Sequence, residues 1–380
     1  MILTGVEVDL FVPSFPELQR VFGLTPFMVE LTLGVNLVAH CVTALVAGTL
    51  GDKYGRKPVM LVGLLVFIVG SICCVFAPDY STLLFGRFLQ GAGISGPTVL
   101  VYVLILDKYS TEKTQSLLGI VNGVVTIAMA MAPVVGSYVS LFFNWRGNFV
   151  VLLILGVITF IVTLLFIPDN KIKQHHIKIS IKEYKPIFNS SKALLYIICL
   201  CFAMQSYWVF IAMSPVIYME GLGVSLQDFG LYQGSIAFVF AIGSLTSGYF
   251  LKRFGRSKCL IVSLYSIVFF FVAIILLMIF DIRDPLIITM VMFFEAAGMV
   301  VPINVLWPLA LDAVPEAKGR MGAILVSFRL IITAITVGAA SFFYGGGFFA
   351  TGMVIALTLI ISVITCYILI KKYSVLKLQQ

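Results

Sequence analysis

Apolar and polar residues alternate along this chain in long blocks. Apolar runs of about twenty residues follow one another from end to end, separated by short polar turns. At a rise of ~1.5 Å per residue, twenty helical residues cover the ~30 Å hydrocarbon core of a bilayer, so each run predicts a membrane-spanning helix. The pattern places helices near 1–17, 28–50, 58–78, 81–106, 115–142, 147–167, 193–219, 227–250, 259–280, 285–311, 320–344 and 348–370, twelve in all. The first run is short for a span, and no basic stretch precedes it. No cleavable signal peptide is therefore expected, and part of the cytoplasmic end of that helix is expected to be absent from this sequence.

Composition agrees with this reading. The chain has 380 residues, 61% hydrophobic and 11% charged, outside the range of soluble domains. Its net charge of +8 does not form a nucleic-acid stripe. Twenty of the 25 Lys and Arg residues fall in turns on one side of the predicted helices, including Lys53, Arg56, Lys57, Lys108, Lys252, Arg253, Arg256 and Lys258. Arg20, Arg146 and Arg283 lie opposite, and Arg87 and Arg329 fall within helices. The positive-inside rule makes the basic side cytoplasmic, and an even helix count puts both termini there. The seven cysteines all sit in apolar runs without metal-type spacing, so they read as small packing residues.

The longest polar stretch, 168–192, divides the chain into 1–167 and 193–380, two predicted six-helix bundles joined by a cytoplasmic linker. His175 and His176 lie in it beside six lysines, which reads as a basic linker near anionic lipid ahead of a metal site. An internal repeat supports the division. A shift of 200 residues carries Leu31, Gly34, Gly48, Gly55 and Arg56 onto Leu231, Gly234, Gly248, Gly255 and Arg256. A shift of 205 carries Phe88, Gly93, Pro97 and Asp107 onto Phe293, Gly298, Pro302 and Asp312. Parallel repeats of this kind imply a central site between two rocking halves.

The turn Gly48, Asp52, Gly55, Arg56 and Lys57 resembles, at each diagnostic position, the loop between the second and third helices of the major facilitator superfamily. The resemblance implies that fold and a conformational latch made by these residues with Asp107 at the end of the fourth helix. Lys252 stands where Asp52 would recur, so the latch is expected on one side only. Asp9 to Pro13 with Pro16, and Arg87 to Gly93, resemble the drug–proton antiporters of that superfamily, nearest the bicyclomycin/chloramphenicol resistance branch. In those relatives the acid of the first helix and the arginine of the fourth take part in proton coupling. Ala128 to Ser137 match the antiporter motif of the fifth helix in part, keeping Pro133 and Gly136.

Ionisable side chains at membrane depth cost at least ~2.5–3.5 kcal/mol, so each is a functional candidate. They are Glu7 and Asp9 on the first helix, Arg87 on the fourth, Glu295 on the tenth and Arg329 on the eleventh, while Glu30 reads as interfacial. Asp9 and Arg87 come out level, each roughly 10–12 Å from the outer end of its helix. Glu7 and Asp9, two residues apart, are expected on opposing faces, with Asp9 the favoured proton carrier opposite Arg87. Asn36, His40, Tyr102, Gln205, Trp208, Glu295 and Arg329 are candidates for lining a substrate cavity, although packing is the commoner fate of such aromatics. No cofactor, metal or nucleic acid is expected, and the expected partners are protons, a small-molecule substrate and the lipid bilayer, with the chain a monomer in the inner membrane. Proton-coupled efflux of small amphipathic compounds leads. Proton-coupled uptake of a metabolite is the alternative, and a membrane-embedded enzyme comes last, because no nucleophile or metal-ligand cluster converges.

Overall fold

The computed structural model describes residues 2–108, 111–168, 184–314 and 318–373. It contains helices and no strand among the described residues. The chain runs α1 (Ile2–Val6), a turn, a 3-10 segment (Val12–Ser14), α2 (Phe15–Phe22), α3 (Pro26–Tyr54), α4 (Arg56–Val75), α5 (Tyr80–Lys108) and α6 (Thr111–Phe166). It continues through α7 (Lys185–Asn189), α8 (Ser191–Ala203), α9 (Gln205–Pro215) with a π-helical end (Val216–Gly221), α10 (Leu226–Phe254), α11 (Arg256–Ile279), α12 (Pro285–Leu311), α13 (Lys318–Phe342) and α14 (Phe349–Tyr373). Among the described residues nine helical segments are long and apolar enough to cross a membrane.

Two departures from the expected pattern have local causes. The first span is broken: α1 loosens over residues 7–11 before the chain tightens into the 3-10 segment. Pro13 and Pro16 have no amide hydrogen to offer the carbonyls of Asp9 and Val12, so a continuous α-helix cannot form there. In α6, Asn144 takes φ 54° and divides one long rod into two spans. Its side-chain oxygen accepts the Arg146 amide at 2.9 Å and starts the second. Counting Ile2–Phe22 as one broken span, α6 as two and Ser191–Gly221 as one, the described chain follows the twelve predicted segments.

The repeat is visible in the backbone. α3 and α10 are both 29 residues long and start 200 residues apart. Each ends at a glycine with positive φ, 95° at Gly55 and 80° at Gly255, a conformation that side chains with a Cβ rarely adopt. Glycines 23 and 223, ahead of the two helices, match as well, at 65° and 69°.

The chain divides into two compact units, residues 1–179 with 226–234, and residues 180–225 with 235–380. In the first, α3, α4 and α5 pack with backbones almost touching. A Cβ on Gly91 would lie 2.1 Å from the Asn36 carbonyl oxygen, and one on Gly70 would lie 2.7 Å from the Gln90 nitrogen. Small residues at such crossings are what let membrane helices approach. An aromatic cluster of Phe11, Phe15, Trp145 and Phe149 fastens the broken first span to α6, with the Phe11 and Phe149 rings 4.5 Å apart. The second unit centres on Tyr196, Leu200, Leu306, Met321, Leu325 and Leu369 from α8, α12, α13 and α14. None of the seven cysteines forms a disulfide.

Candidate functional site

In the first unit the loosened turn after α1 delivers Glu7 to the interior, where α5 supplies Arg87. The Arg87 Nη1 donates to Glu7 Oε1 at 3.1 Å, and both side chains are buried. Asn36 of α3 donates from Nδ2 to the same carboxylate oxygen at 2.7 Å and to the Arg87 carbonyl at 3.1 Å. Arg87 Nη1 also donates to Gln90 Oε1 at 2.8 Å, and Gln90 Nε2 donates to Ser71 Oγ on α4 at 2.9 Å. The Phe11 ring lies 5.2 Å from the guanidinium carbon. One hydrogen-bonded cluster thus ties four helical segments to a single buried ion pair.

This corrects the expected pairing: the carboxylate that meets Arg87 is Glu7, not Asp9. The reason is the unwinding at 7–11, which leaves Glu7 at the end of the regular helix facing α3 and α5. Asp9 is buried too, only 5% exposed, and its Oδ1 has no hydrogen-bond partner among the described residues. Glu30, read as interfacial, is buried against the protein, and neither of its carboxylate oxygens has a partner among the described residues.

A second polar knot, unforeseen from the sequence, lies in the same unit. Asn148 Nδ2 donates to Ser14 Oγ and Ser140 Oγ, each at 2.8 Å, and the two hydroxyls are 2.9 Å apart. It pins the 3-10 segment to both parts of α6. Gln90 and Ser71 were also missed, though both are polar residues inside apolar runs, the same signal that marked Asn36. His40 and Tyr102 are half-buried on α3 and α5.

In the second unit Ser206 of α9 donates to the buried Glu295 of α12, whose other oxygen has no partner among the described residues. Gln205 donates to the Cys201 carbonyl at 2.8 Å and accepts from Thr336 at 3.3 Å. Tyr207 stacks on Phe240 at 5.3 Å and meets Trp208 edge-on, and the Arg329 guanidinium lies 5.5 Å from the Trp208 ring centre. Glu295, Gln205, Trp208 and Arg329 therefore gather around α9, with no ion pair to Glu295 or Arg329 among the described residues.

Of the latch residues, Gly48 and Lys57 are half-buried and Arg56 is buried beneath the turn that Gly55 forms. The side chains of Asp52 and Asp107, and residues His175 and His176, lie outside the described residues. Outside the spans, Asp79 starts α5 by accepting the Thr82 amide at 2.8 Å. Hydrogen bonds from the Thr82 amide and hydroxyl hold its carboxyl below the ordinary range.

The family model described as Major Facilitator Superfamily matches residues 1–337. Among curated relatives, multidrug resistance protein MdtL of Salmonella heidelberg is 27% identical over 266 residues, covering 69% of this chain and 67% of the relative. Its counterpart in Salmonella typhimurium is 26% identical over 269 residues, with the same coverage. Among solved structures, a D-xylose–proton symporter aligns at TM-score 0.74 and 13% identity over 95% of this chain and 94% of its own. The xylose transporter XylE of E. coli, partially occluded and inward open, aligns at 0.75 and 12% over 97% and 94%. At such identities these structures speak for the fold alone.

Proposed function

From the premise that this chain belongs to the Major Facilitator Superfamily, we propose that it exports small amphipathic compounds across the inner membrane in exchange for protons, by alternating access. It is a multi-pass membrane transporter; the direction, the coupling ion and the substrate class are the proposal. The observation that carries it is the buried Glu7–Arg87 ion pair. A charge pair inside membrane helices is costly, and an apolar pair would fix packing more cheaply, so its presence favours a working role. A proton reaching Glu7 cancels the attraction, leaves Arg87 to Gln90 alone, and loosens the clamp between α1, α3 and α5. Asp9, two residues along the same unwound turn, relays the proton towards Glu7. The field adds ~2.3 kcal/mol per elementary charge per 100 mV to an inward proton.

Export is supported by the name multidrug resistance protein carried by the relatives at 26–27% identity. Asn36, His40, Tyr102, Gln205, Trp208, Glu295 and Arg329 are assigned to the substrate path in this reading, and the loop from Gly48 to Lys57 with Asp107 to the latch. The basic turns and both termini face the cytoplasm, and the chain acts as a monomer. In proteoliposomes with an imposed pH gradient, substrate is expected to move against the proton flow. Substrate moving with the protons would replace export by uptake, and flux indifferent to the gradient would remove proton coupling.

A further inference from the structure

The second unit holds an apolar groove. α10, α11 and α12 enclose a cavity of about 540 Å³ lined by Phe250, Phe254, Lys258, Val262, Ser263 and Val301 among others. The repeat differs beside it. Gly63, Gly70 and Gly91, which bring α3, α4 and α5 together in the first unit, become Ser263, Phe270 and Ala296 in the second. The space beside these crossings opens outward, because Phe250, Phe254 and Val262 are all exposed.

The wall of the groove is apolar despite four hydroxyl residues. Thr246 donates to the Ile242 carbonyl, Ser247 to Ser244, Ser263 to Gly298 and Ser266 to Phe294. Every one of these hydroxyl hydrogens is spent on backbone, so the lining offers hydrocarbon and no free donor from them. The polarity is at one end, where the exposed Lys258 lines the cavity and the exposed Lys252 and Arg253 close α10 nearby. From Lys258 to Ser266 the groove follows eight residues of α11, ~12 Å at helical rise and close to the depth of one leaflet.

We propose that this groove binds an anionic phospholipid, with the phosphate against Lys258 and one acyl chain lying along α11 between Phe250, Val262 and Val301. Charge complementarity selects this occupant: a cationic mouth on an apolar slot one leaflet deep matches an anionic headgroup and its chain. The site is separate from the Glu7–Arg87 cluster, and its failure would leave the transport reading standing.

The full-length chain, purified in mild detergent, is titrated with palmitoyl-oleoyl phosphatidylglycerol, or with the matching phosphatidylcholine, and bound lipid is counted by native mass spectrometry. Phosphatidylglycerol is expected to be retained preferentially, and Lys258→Ala to lower its retention about five-fold, the factor that one basic side chain near an anionic surface supplies. Val262→Trp, which fills the slot from its exposed side, is expected to abolish retention. Both positions are exposed, so the core is untouched. Equal retention of the two lipids, or retention unchanged in both variants, overturns the proposal.

Discussion

The two units carry one repeat and two chemistries. Shifted by 200 or 205 residues, Glu7, Asn36, Ser71, Arg87 and Gln90 fall on Tyr207, Ile236, Phe271, Met292 and Glu295. The first set is a connected network around an ion pair. In the second the network is gone, and its one acid, Glu295, is bonded by Ser206 with no ion pair among the described residues. Backbone geometry survives the same comparison: α3 and α10 share their length and their terminal glycine conformation. A duplicated scaffold thus kept its turns while only one copy keeps a charge pair, the arrangement expected if one half couples to protons and the other serves the substrate.

The sharpest way to break this contrast is Arg87→Met, which installs the residue found at 292. It leaves Glu7 buried without its cation, a loss of about 3–5 kcal/mol for a buried pair stripped of one partner. Thermal unfolding in detergent should show a large fall in midpoint, and adding Glu7→Gln should recover most of it. If the single variant is as stable as the parent, the pair is not what holds the cluster. Smaller, and again asymmetric, is the exchange of small residues. Gly91→Ala drives a methyl into the Asn36 carbonyl and should cost about 1–3 kcal/mol as overpacking. Its counterpart Ala296→Gly introduces no clash and should cost about 1–2 kcal/mol, the helix-propensity difference plus one buried methyl. A Gly91→Ala variant as stable as the parent would mean that the close approach of α3 and α5 is not rigid. Smallest in stability is Glu295→Gln, which keeps an oxygen for Ser206 and should change stability by under about 1 kcal/mol. It should raise KM for substrate while flux keeps its dependence on the pH gradient; a lost gradient dependence would move proton coupling into the second unit.

Much of this was legible in the order of residues. Block hydropathy located the spans, and the glycine turn at 55 with its copy at 255 disclosed both the repeat and the family. The pairing inside the cluster was not. Helical geometry over residues 1–17 put Asp9 level with Arg87, but Pro13 and Pro16 unwind that helix and deliver Glu7 instead. Helix wheels assume an unbroken ladder, and two prolines within four residues should have suspended that assumption. Gln90 and Ser71 were overlooked because neither is ionisable, although uncharged polar groups buried in lipid-spanning helices need partners as much as charged ones do. The groove beside α11 was not legible, because its lining of ordinary apolar and hydroxyl residues from α10, α11 and α12 carries no distinctive pattern.

The proposed coupling requires that Glu7 hold Arg87 when ionised and release it when protonated. Its most direct test is Glu7→Gln in proteoliposomes, assayed both for flux driven by a pH gradient and for substrate counterflow at equal pH. Gradient-driven flux should vanish while counterflow persists, because the substrate path is intact and only the proton step is lost. Gradient-driven flux at the parental rate would contradict the account.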